Sequence, residues 1–63
     1  MTEEKKSEII NSFMCGNREW TRKTVLKESK KVIIDFLDFV IHQYDCGLIN
    51  IDDVFSLFRC LNY

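Results

Sequence analysis

The chain has no proline, and glycine occurs only at positions 16 and 47, so no stiffened loop or long linker divides its 63 residues. One domain, residues 1–63, is the most this length supports. Histidine occurs once and cysteine three times, at 15, 46 and 60, without a C-x-x-C pair. That spacing indicates neither a metal site nor a secreted disulfide framework. The thiols read as small apolar side chains of a cytoplasmic protein. Net charge is nearly absent as well, at −1. Long apolar runs are missing: the densest, Val32 to Ile41, spans ten residues and contains Asp35 and Asp38. A membrane crossing needs about twenty apolar residues, and no membrane partner is expected. The charged start, Met1-Thr2-Glu3-Glu4-Lys5-Lys6, reads as no secretory signal.

What is present is 46% apolar and 30% charged, the balance of a globule rather than of a disordered chain. The two glycines cut the chain into three helical segments. In the first, about residues 3–15, Thr2 is placed to cap and Glu3 and Glu4 suit the positive end of the helix dipole. Ile9, Ile10, Phe13 and Met14 form its apolar stripe, and Gly16 ends it. The second is expected to be one long helix over about 22–45, capped by Thr21 or Thr24, because no breaker interrupts Val25 to Tyr44. Its polar residues Lys27, Lys31, Asp35, Asp38 and His42 recur at helical spacing, which overrides the strand preference of Val32-Ile33-Ile34. The third, about 51–61, starts from Asn50 with Asp52 and Asp53 behind it, and carries Ile51, Val54, Phe55, Phe58 and Leu61 on one face. The expected fold is all-α: a long central helix with two shorter amphipathic helices packed on it.

Eight of the ten residues from Val32 to Ile41 are apolar, more than one stripe of a helix. Such a helix needs cover on more than one side, and two short neighbours do not provide it. A chain near 60 residues without disulfide or metal is also marginal by itself. Both points predict a dimeric helical bundle or a protein partner, with Trp20, Ile34, Phe39 and Ile41 as the apolar contact residues. Trp20 is read equally as a staple between helices, and Phe36, Phe39, Phe55 and Phe58 mainly as core.

Charge is segregated. Residues 18–31 carry a net +4, and those from 32 onward a net −4. Arg18, Arg22, Lys23, Lys27, Lys30 and Lys31 form the expected basic contact set for an acidic protein surface or for phosphates. The competing reading is a solvated face, with Glu19 four residues before Lys23. Nucleic-acid binding through this segment is an alternative function, opposed by the isoelectric point of 5.7 and by few base-reading side chains.

Two resemblances concern the turn at Gly47. As an EF-hand loop it would place His42, Tyr44 and Cys46 at ligand positions, too few oxygens for calcium. It also resembles the last hairpin of small three-helix antitoxins that inhibit AMP-transferring Fic enzymes. Their Ser-x-x-x-Glu-Gly/Asn element is met here by Ser12 and Asn17, but Gly16 stands in the glutamate's place, so no family is assigned. His42 with Asp38 one turn earlier is the only acid–base pair in sight, and no nucleophile is placed beside it. The chain is therefore expected to be a non-enzymatic regulator or inhibitor without cofactor or small-molecule substrate. A chaperone-like or structural subunit is the remaining alternative.

Overall fold

A computed structural model describes residues 1–62 and shows four helices: α1 (Glu3–Met14), α2 (Arg18–Leu26), α3 (Lys30–Asp45) and α4 (Ile51–Leu61). The all-α class holds, but the expected three helices are four. Residues 22–45 are not one helix. The chain leaves helical geometry after Leu26, and Ser29, in extended conformation, starts α3 by accepting the Val32 N–H at 3.4 Å on its hydroxyl. Thr21 and Thr24 are not caps; both are buried inside α2, and the Thr21 hydroxyl donates to the Asn17 carbonyl at 2.8 Å. A straight helix over 22–45 would run about 36 Å, whereas the longest dimension of the molecule is 28 Å. The bend instead packs α2 against α1 and α4.

The other boundaries follow local chemistry. Thr2 accepts the Lys5 N–H at 3.1 Å. The two glycines close their helices in the same way. The Gly16 N–H donates to Phe13 and the Asn17 N–H to Ser12; likewise Gly47 donates to Tyr44 and Leu48 to Gln43. This double closure needs a left-handed residue at the glycine, and φ is +99° at Gly16 and +79° at Gly47. Asn50 and Asp53 cap α4 reciprocally, each side chain accepting the other's backbone N–H.

Every helix supplies the core: Ile9, Ile10 and Phe13 from α1, Val25 from α2, Phe36 and Val40 from α3, and Val54, Leu57 and Leu61 from α4. Two stripes are rotated from expectation. On α1 the buried line is Lys6, Ile9, Ile10 and Phe13, with Met14 exposed. On α4 it runs through Leu57, and Ile51 and Phe55 are exposed. Ile49 packs against the core from the α3–α4 turn.

Phe36 is completely enclosed, so Phe36→Ala is expected to cost about 3–5 kcal/mol. That is comparable to the whole stability of a core this small, and circular dichroism should find the variant largely unfolded at room temperature. Gly47→Ala meets no atom within 4 Å of the new Cβ. Its expected penalty is the left-handed backbone alone, about 1 kcal/mol, measured by urea titration.

Candidate interaction surface

α3 turns Phe36 and Val40 into the core and keeps Ile33, Leu37 and Phe39 half-buried. Three of its apolar side chains are exposed: Ile34 at 60%, Ile41 at 43%, and Tyr44. With Leu37 they fall at i, i+3, i+7 and i+10, the spacing of a coiled-coil seam. α4 carries a second exposed line, Ile51 and the 54%-exposed Phe55, one turn apart and followed by half-buried Phe58. The five-residue connection Cys46–Asn50 folds α4 back on α3. Leu37 and Phe58 meet as walls of one shallow cleft of about 180 Å³, with Leu26, Ile33 and Leu61. The outer flanks of the two helices therefore turn to the same side. The helix phases set Ile34, Leu37, Ile41 and Tyr44 on the α3 side and Ile51 and Phe55 on the α4 side of this cleft, together the α3–α4 face.

The four apolar residues expected as contacts divide between two sides. Ile34 and Ile41 lie on this face. Trp20 and Phe39 instead meet the lysines of α1: Lys5 Nζ is 5.6 Å from the Trp20 ring centre and Lys6 Nζ 5.4 Å from that of Phe39. Trp20 thus links α1 to α2 while remaining exposed. Lys6 is the unexpected residue. Its side chain is nearly buried, yet Nζ reaches Asp35 Oδ2 at 2.6 Å, tying α1 to α3. The hydrogen bond from Lys6, together with its charge, holds the Asp35 carboxyl below the ordinary carboxylate value. Nothing in the composition marks Lys6 apart from Lys5; its signal is the i, i+3, i+4, i+7 line with Ile9, Ile10 and Phe13.

The six cations are spread over α2, the bend and the start of α3. Arg18 stacks on Phe13, with Cζ 5.2 Å from the ring centre. It also lines a small cleft with Ser56, Arg59 and Cys60. Lys23 pairs with Glu19 at 3.3 Å in the open. Arg22 is half-buried, and its Nε has no hydrogen-bond partner. Lys27 caps the end of α2, and Lys30 and Lys31 occupy the first turn of α3. This is a set of separate positions and not one stripe.

A broad open groove of about 880 Å³ lies along α1 and the C-terminal half of α3, with Glu3, Glu4 and Glu8 on its rim and Phe39, His42 and Leu48 among its walls. Sequence reasoning placed no nucleophile beside His42. Cys46, one turn later, has its Sγ 3.6 Å from His42 Nε2, and the i, i+4 spacing was the available signal. The pair sits at the C-terminal end of α3, where the negative end of the dipole disfavours a thiolate or an oxyanion. Both residues are exposed. Among the described residues no group of three or more His, Cys, Asp or Glu is arranged to hold a metal ion. None of the helices is long and apolar enough to cross a membrane.

No protein-family model, curated protein or solved structure matches this chain at a significant level.

The Lys6–Asp35 tie carries a pH signature. The folded carboxyl titrates below its unfolded counterpart, so the tie contributes in full above the unfolded value and is lost as pH falls through the lowered folded value. Asp35→Asn leaves a nearly buried ammonium without its carboxylate, and should lower the melting temperature more than Lys6→Met. The gap between wild type and Asp35→Asn is expected to close on acidification through the carboxylate range, as followed by thermal melts across pH.

Proposed function

We propose that this chain is a small non-enzymatic binding protein, a regulator or inhibitor that works by seating the α3–α4 face on a protein surface, either a larger partner or a second copy. The observation that carries the reading is the contrast within α3: Phe36 and Val40 are sealed, while Ile34 and Ile41 stand in solvent. Burying one such side chain stabilises a complex by roughly 1.5–3 kcal/mol before association entropy is subtracted. A few together, aligned on rigid helices, suffice for a helix-in-groove or helix-on-helix contact. The absence of an enclosed pocket at His42 and Cys46 favours binding over chemistry. The scattered cations fit a role in orientation and encounter rate better than a continuous nucleic-acid track.

The test combines stability with site-specific cross-linking. The variant Ile34→Ser/Ile41→Ser/Phe55→Ser should keep its helix content and lose no more than about 1 kcal/mol, as surface substitutions do. A photoreactive residue at 34 or 55 should give protein adducts in cells, whereas one at Ser7, on the groove side, should not. A loss in the range of core truncations, about 2–5 kcal/mol per site, would assign these side chains to the fold and overturn the reading. So would adducts that form equally from position 7.

A further inference from the structure

We infer that the occupant of the α3–α4 face is a second copy of this chain, docked so that the two α3 helices run antiparallel across a two-fold axis. This rests on the binding reading above and names its partner. Three features of this face point the same way.

The first is the seam. Ile34 and Ile41 occupy one core position of a heptad and Leu37 and Tyr44 the other. In an antiparallel pair these two kinds of position face each other. Ile34 then meets the partner's Tyr44, and Leu37 meets the partner's Ile41, in four layers related by the two-fold. The seam thus matches its own reverse.

The second is charge. α3 begins with Lys30 and Lys31, has no acid in its first turn, and ends on Asp45. This arrangement opposes the helix dipole at both ends and is unfavourable in an isolated helix. Antiparallel pairing relieves it, because each basic end then lies beside the acidic end of the other copy and the two dipoles cancel. Along the exposed flank of the seam the positions are Lys31, Asp38 and Asp45. The antiparallel register sets Lys31 against the partner's Asp45, twice, and leaves Asp38 near the axis against its own image. A parallel pair would instead bring the two basic ends together and the two acidic ends together. Only the antiparallel arrangement makes the charge segregation attractive.

The third is the opposite flank. There α4 presents Ile51 and Phe55, and a two-fold perpendicular to the helix pair brings both copies of α4 to the same side. The two hairpins then enclose one another's exposed lines. The widest face of the molecule measures 28 by 21 Å, at the small end for an interface that takes about 800 Å² from each partner.

Sedimentation equilibrium of the purified full chain, from micromolar to millimolar concentration, should show the mass rising from 7.5 kDa to twice that value. Ile41→Glu and Ile34→Glu should each remain at the single-chain mass with unchanged helix content; both positions are solvent-exposed, so either variant serves if the other unfolds. Lys31→Asp or Asp45→Lys alone should weaken the dimer about tenfold, since each contact occurs twice, and the double exchange should restore it. Asp38→Asn should tighten it. Single-chain mass at millimolar concentration overturns the inference. If cross-links from position 34 then reach a different protein, the binding reading stands without self-pairing; if they reach none, both fall. A dimer in which the double exchange restores nothing, or in which Asp38→Asn weakens association, overturns the antiparallel docking.

Discussion

A helix that is apolar around most of its circumference cannot be sealed by three short neighbours, and the rest of this molecule is arranged around that shortfall. Phe36 and Val40 anchor α3 in a core to which every helix contributes. Helices of nine to twelve residues have too little length to wrap the remaining side. The shortfall follows from scale: a domain near 60 residues hides only about 60% of its unfolded surface. Whatever apolar surface exceeds that allowance ends on the outside: Ile34, Ile41, Tyr44, Ile51 and Phe55 on the α3–α4 face, and Met14, Trp20 and Leu48 away from it.

The polar interactions complement this economy. Where α1 crosses α3, the buried stem of Lys6 fills space beside Phe39 while its ammonium is neutralised by an exposed carboxylate at the surface. The long side chain serves as core material and its tip as a cross-link. On the other flank of α1, Lys5 and Trp20 join α1 to α2. Lysines over aromatic rings thus tie α1 to α2 and to α3, beside the open groove that Phe39, His42 and Leu48 line.

Much of this was legible in the residues. Gly16 and Gly47 as helix stops, the Asn50 cap and the bounds of α4 follow from local rules that depend on few neighbours. The division of residues 22–45 was not legible, for a definite reason. Val25 and Phe36 are eleven residues apart, three helical turns, so the apolar stripe stays in phase across the bend and periodicity registers no interruption. Neither glycine nor proline marks the site, and Ser29 is the only local sign. On the candidate face, Ile34 and Ile41 could be anticipated by counting apolar positions around α3. Phe55 could not, because an amphipathic helix fixes the width of its apolar arc but not which edge of that arc its neighbours will cover. Lys6 was hidden for the converse reason: charge argues for exposure until the line of side chains beneath it is considered.

The connections between helices are three residues at 15–17, three at 27–29 and five at 46–50. Each chain reversal is therefore local, and little loop entropy must be surrendered before neighbouring helices meet. A helical topology built in this way belongs to the class that reaches its native state in microseconds to milliseconds. A newly made chain would finish its own interior well before diffusion brought another molecule to its oily side, so folding would precede the proposed association and not compete with it.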